Sequence, residues 1–124
     1  MTLQRKQFGN HAEDVAVEFL ERQGYKILHR NFRLRFGEID IIAQDKDTLC
    51  FVEVKARTTD DRGGPLEPIT YFKQRKLSKL ALAYLRREYK SLEVQARFDV
   101  VAIALDEQGR ETVEIIKNAF EVCA

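Results

Sequence analysis

The chain is poor in the residues that build cross-links or soft-metal centres. It has two cysteines, Cys50 and Cys123, and two histidines, His11 and His29, in 124 residues. The cysteines form neither a CxxC pair nor a Cys/His array, so a zinc site is not expected. Neither histidine sits in a nucleophile or ligand pattern; both read as surface residues, with His11 able to contact a phosphate. Apolar runs are short. None approaches the roughly 20 residues needed to span a bilayer, and Met1–Asn10 lacks a signal-type apolar stretch. A cytoplasmic protein with no membrane partner is the expectation. The chain also lacks internal repeats, low-complexity tracts and any linker long enough to divide it, so residues 1–124 read as one domain.

An excess of charge is missing as well. The formal net charge is only +1, so the total says little about partners. The distribution says more. Lys55 to Lys90 holds ten basic residues against four acidic ones, whereas Val101 to Ala124 holds two against five. Such asymmetry suits a basic face for phosphates, and equally a solvated helix. What the chain does have is 44% apolar and 33% charged residues, the balance of a soluble globular domain. At this length it can bury a core without disulfides.

Periodicity predicts the elements. Ala12, Val15, Ala16, Phe19 and Leu20 fall on one helical stripe, with Asn10 as a cap and Gly24 as a stop. A short strand follows at Tyr25–Arg30. Gly37–Gln44 and Leu49–Arg57 read as a hairpin about a turn at Asp45–Thr48. Thr58–Pro68 carries Gly63, Gly64, Pro65 and Pro68 and reads as a loop. Leu77, Leu80, Ala81, Tyr84 and Leu85 repeat the helical stripe within about Tyr71–Tyr89, with Tyr71, Phe72 and Tyr84 expected in the core. Arg97–Leu105 and Thr112–Ile116 are strands about a turn at Asp106–Arg110. The order αβββαββ implies an α/β (α+β) domain with a central mixed five-stranded sheet flanked by helices.

Two neighbouring strands carry charges where apolar residues are expected. A strand's period of two puts Glu38 and Asp40 on one face of the first. It puts Phe51, Glu53, Lys55 and Arg57 on one face of the next. Charges inside a sheet are costly without partners, and a divalent cation is the natural partner of two carboxylates. Mg²⁺ takes hard oxygen ligands and keeps several waters. Asp40 and Glu53 can each supply an oxygen, and the Val54 carbonyl a third; water activated there is aimed at phosphorus. Lys55 can hold that water or offset charge in the transition state. The bland alternative is an ion-pair ladder among Asp40, Glu53, Lys55 and Arg57.

Gly37-Glu38-Ile39-Asp40 followed by Phe51-Val52-Glu53-Val54-Lys55 resembles the PD-(D/E)XK nuclease superfamily, with Ile39 where the superfamily's name has proline. The chain is more closely similar to the YraN-like family (UPF0102), described as predicted endonucleases distantly similar to archaeal Holliday junction resolvases. The likeness runs through Gly9, Glu13-x-x-Ala16, Gly24-Tyr25, Asn31-Phe32-Arg33, Lys73 and Arg97-Phe98-Asp99-Val100-Val101. It implies a restriction-endonuclease-like core and a role in nucleic-acid processing. It also implies that Glu13 reaches the metal site, making Glu13, Asp40, Glu53 and Lys55 the catalytic set. The other reading of Glu13 is a capping box with Asn10. Glu38 is either an acid behind the ligands or a solvent-exposed edge residue. Arg57, Lys73, Gln74 and Lys76 are candidate DNA contacts, the last three at a helix start that favours phosphate; the alternative is a solvated helix face. A Mg²⁺- or Mn²⁺-dependent endonuclease on branched or structured DNA, working as a homodimer for paired cuts, is the leading expectation. A nucleic-acid-binding module without turnover, or a structural partner in a larger assembly, are the competitors.

Overall fold

The computed structural model describes residues 3–58, 69–90 and 93–122. Seven elements follow in order: α1 (Leu3–Arg22), β1 (Lys26–Leu34), β2 (Gly37–Asp45), β3 (Thr48–Thr58), α2 (Tyr71–Glu88), β4 (Ala96–Leu105) and β5 (Glu111–Phe120). The expected order holds, with longer first and last strands. The expected loop at Thr58–Pro68 falls outside the described residues apart from Thr58, which ends β3; Cys123 lies outside them too.

The start of α1 corrects the sequence reading. The helix begins at Leu3, so Asn10 lies inside it and the capping-box reading of Glu13 fails. The apolar stripe marks only where the helix is buried, and a helix can run on beyond the core it covers. The stop at Gly24 is as expected. Gly24 has φ +94°, its N–H donates to the Glu21 carbonyl, and the Tyr25 N–H donates back to the Leu20 carbonyl, both at 3.0 Å. That paired closure satisfies carbonyls the helix end leaves open.

The strands form one sheet in the order β1-β2-β3-β4-β5. Neighbours are antiparallel except β3 and β4, which are parallel. A parallel pair needs a crossover, and α2 lies in it. The central strand β3 is covered on both faces. Leu49 and Phe51 join the cluster beneath α2, with Leu77, Leu80, Ala81, Tyr84 and Leu85. Cys50 and Val52 join the cluster beneath α1, with Ala12, Ala16 and Leu20. The result is a three-layer α+β arrangement, consistent with a restriction-endonuclease-like core. Burial, and then the charge of Asp99, push the Cys50 thiol up to about 12, which leaves it an inert packing residue. Tyr84 is buried as expected, but Tyr71 and Phe72 are 64% and 74% exposed. They precede the first buried residue of the helix, Leu77, so no sheet surface covers them.

A polar network braces the sheet. Asp99, on β4, is fully buried. Its carboxylate accepts Arg97 Nε at 3.0 Å, the Tyr25 hydroxyl at 3.3 Å and the Asn118 N–H at 2.9 Å. Arg97 also donates to Asp45 at 2.7 Å and to the Tyr25 hydroxyl at 2.9 Å. The Arg97 guanidinium holds the Asp45 carboxyl below the usual carboxylate range. These contacts link the α1–β1 connection to β2, β4 and β5. Removing the cation of a buried pair strands its partner at a cost of about 3–5 kcal/mol. Arg97→Met is therefore expected to lower the urea midpoint strongly without changing the slope of the transition. An unchanged midpoint would show that the network contributes nothing to stability.

Candidate active site

The site lies where β2 and β3 part. Their ladder runs from Asp45↔Thr48 to Ile41↔Val52 and stops. Beyond it β2 stays paired to β1 through Ile39, Glu38 and Gly37, while β3 stays paired to β4 as far as Thr58↔Leu105. The fork opens at Asp40. On β1, Asn31 lies between Arg30 and Phe32, the partners of Ile41 and Ile39, and has a left-handed φ of 55°, a conformation Asn tolerates better than most residues. Alternation in β2 also breaks here. Ile39 packs beneath α2 and Ile41 beneath α1, although residues two apart in a regular strand share a face. The shared face expected of Glu38 and Asp40 therefore does not follow.

The Asp40 side chain takes over from the missing ladder. Its Oδ2 accepts the Val54 N–H at 2.8 Å. One side chain thus satisfies a backbone donor that β2's carbonyls no longer reach. Val54 stands between Glu53 and Lys55, so the same bond ties the acid of β2 to both charged residues of β3. Glu53 is 9% exposed, and its Oε1 accepts from the Lys73 ammonium of α2. The N-cap of α2 is Thr70, whose hydroxyl accepts the Lys73 N–H at 3.2 Å. This cap fixes where the helix begins and so where Lys73 stands.

The electrostatics single out Asp40. Burial first, and then the negative field of Glu53, push Asp40 from the ordinary 3.8 up to about 7. The Val54 N–H works the other way, and Glu13 and Glu38 add to the rise. Glu13, half-buried on α1, thus belongs to the electrostatic surroundings of Asp40. Among the described residues no group of three or more His, Cys, Asp or Glu side chains forms a metal-holding cluster by itself. The donors on hand are two carboxylates and backbone oxygen. That set fits a hard cation that keeps most of its water, and the unmet charge at Asp40 favours one.

Comparison with known proteins settles the kinship. Residues 12–103 match the uncharacterised protein family UPF0102. The chain belongs to that family. A UPF0102 protein of Geobacter metallireducens is 49% identical over 98% of both chains. One from Desulfosudis oleivorans is 50% identical over 98% of this chain and 95% of its own. One from Caldicellulosiruptor saccharolyticus is 44% identical over 95% of this chain and its own full length. The match thus covers almost the whole UPF0102 chain, including both strands that carry the candidate site.

The remaining candidates separate. Lys55 is half-buried two residues beyond Glu53 on β3. Glu38 pairs with Arg33 across the β1–β2 hairpin at 2.9 Å. Gln74 donates its side-chain amide to the Ile69 carbonyl at 2.8 Å, a structural contact at the start of α2. Arg57 lines a cavity of about 260 Å³ with residues of β4 and β5, such as Ala102 and Glu114. Lys76 is exposed on α2. Lys73, a candidate phosphate contact in the sequence, also bonds Glu53, a pairing that sequence reasoning missed. The nineteen residues between them include the segment 59–68, and no strand or helix periodicity carries across it.

The raised Asp40 carboxyl has a consequence for stability. Its ionisation is harder in the folded chain than in the unfolded one. The folded chain therefore holds an extra proton between about pH 4 and pH 7. The associated stability is full below that window and is lost as pH rises through it. Asp40→Asn keeps an acceptor for the Val54 N–H and cannot ionise. In EDTA, the melting temperature of the parent should fall relative to Asp40→Asn from about pH 5 to about pH 8. Parallel melting curves across that range would show that Asp40 carries no such burden.

Proposed function

We propose that the protein is a Mg²⁺- or Mn²⁺-dependent endonuclease that hydrolyses phosphodiester bonds in branched or structured DNA. The observation that carries this reading is the pair of crowded carboxylates at the β2–β3 fork, Asp40 and Glu53, tied through Val54 to Lys55. Asp40, Glu53 and the Val54 carbonyl would hold the ion, with Glu13 as a further ligand. When bound, the ion makes water more acidic and offsets phosphate charge. The chain's own residues do the rest. The Val54 N–H orients Asp40. Lys55, on the same strand as Glu53, orients the attacking water or neutralises charge that develops on the phosphate. Lys76, beside Lys73 on the basic helix, meets the DNA backbone, a contact without sequence preference. Two symmetric cuts in a four-way junction would call for a homodimer.

One observation favours a second reading. Lys73 already satisfies Glu53 with an ammonium, so the site is partly neutralised without a metal ion. A nucleic-acid-binding module that does not turn over is the function consistent with that pair.

Cleavage separates the two. The purified chain is incubated with single strands, duplexes, flaps and a four-way junction, in Mn²⁺ or in EDTA. Mn²⁺-dependent cleavage of a branched form is the expected result, and salt-sensitive binding without cleavage on any form would favour the second reading. Lys55→Ala should keep the parent's melting temperature and lose about 10²–10³ in rate. A large melting drop with unchanged cleavage per folded molecule would assign Lys55 a structural role instead.

Metal binding is checked separately. Calorimetric titration with Mn²⁺ should show one site, abolished in both Asp40→Asn and Glu53→Gln. Unchanged binding in both variants would remove the ion from this fork.

A further inference from the structure

The exposed rings at the start of α2 have no role in the core or at the β2–β3 fork. Phe72, Arg75, Lys76 and Lys79 fall at i, i+3, i+4 and i+7, one stripe along the helix. Together with Phe36, in the turn between β1 and β2, they line a groove of about 370 Å³. Phe36 is 43% exposed and Phe72 74%. The Lys76 ammonium lies 5.4 Å from the centre of the Phe72 ring, and the Arg75 guanidinium 6.0 Å from that of Tyr71. None of these three cations pairs with a carboxylate among the described residues. The groove therefore offers two exposed aromatic rings, one face of Phe72 lying under the Lys76 ammonium, amid positive charge.

We infer that this groove takes an unpaired nucleotide of a single-stranded nucleic-acid segment. The base would stack on Phe72 and Phe36, and Arg75, Lys76 and Lys79 would meet the flanking phosphates. Aromatic platforms within a cationic track are the chemistry by which single strands are held without sequence preference. In a duplex the base faces are already stacked on each other, so the rings select unpaired over paired nucleotides. A second copy of the chain fits less well, because a two-fold contact would set these cations against themselves. A protein partner also fits less well, since lysine is depleted in the cores of such interfaces. The concave shape between turn and helix suits an inserted ring better than a flat lipid surface. One residue along the helix from Phe72, Lys73 bonds Glu53, so the same helix turn carries a ring of the groove and a contact to the fork. The inference rests on reading this face as the nucleic-acid side of the molecule, and it narrows the substrate to DNA with unpaired nucleotides near the cut.

Binding rather than cleavage tests it, so an inactive protein does not obscure the result. Fluorescence anisotropy in EDTA compares a labelled oligothymidylate with a blunt duplex. The parent should prefer the single strand. Phe72→Leu keeps an apolar side chain but removes the ring, and should weaken single-strand binding roughly 5- to 150-fold, the range of one lost base stack. Phe72→Tyr should retain the parent's affinity, and duplex binding should be little changed in either variant. Unchanged single-strand affinity in Phe72→Leu overturns the inference, as does a parent that prefers the duplex. It is also overturned if Phe72→Leu leaves single-strand affinity intact but dissociates a dimer in sedimentation or releases the chain from anionic vesicles. Cleavage of a junction by Phe72→Leu at the parent's rate and affinity would leave the endonuclease reading standing and this one fallen.

Discussion

A single hydrogen bond, from the Val54 N–H to the Asp40 carboxylate, stands at the point where the sheet stops being a sheet. Up to Ile41↔Val52 the strands β2 and β3 satisfy each other's backbone. One residue further on, β2 follows β1 and β3 follows β4. A buried N–H at such a fork needs an acceptor, and Asp40 supplies it from its side chain. The acid is therefore part of the architecture. Its charge cannot move away from Glu53 without leaving that N–H unmet, so the two carboxylates are kept together despite their repulsion.

The contrast with Asp99 shows what is unusual. Asp99 is the more deeply buried acid, yet its carboxylate meets a guanidinium, a hydroxyl and a backbone N–H. Asp40 has one backbone donor and is crowded by Glu53, Glu13 and Glu38. The first arrangement is what a stable fold makes of a buried charge. The second leaves a charge that only a proton or a cation can relieve, the kind of perturbed group that concentrates at functional sites. The two arrangements lie in one sheet and differ in what they leave unmet: Asp99 and Arg97 hold the strands, and the fork keeps a carboxylate short of partners.

Helix α2 connects the fork to the surface. The parallel pairing of β3 and β4 brings it across the sheet, and Thr70 sets its first turn. From that start Lys73, though exposed, reaches Glu53, while the stripe from Phe72 to Lys79 lines the groove. Charge and aromatic character on one helix are thus divided between the carboxylates and the outside by geometry alone.

Much of this was legible in the sequence. The αβββαββ order, the stop at Gly24, the buried stripes of both helices and the family followed from periodicity and ordered motifs, because each depends on residues close in the chain. Asp40, Glu53 and Lys55 could be singled out for the same reason: charges in apolar strands are conspicuous in a linear text. Other features depended on contacts distant in sequence. The start of α1 at Leu3 lies beyond the apolar stripe that signals a helix. The exposure of Tyr71 and Phe72 depends on where the sheet ends beneath α2. The bond of Lys73 to Glu53 spans twenty residues and a segment without periodicity. The break at Asp40 depends on which strands remain paired around it. Local pattern determined which elements form and which residues are chemically out of place. Only the tertiary structure decided which of those residues meet, because a contact between distant residues is set by strand pairing and the helix crossover.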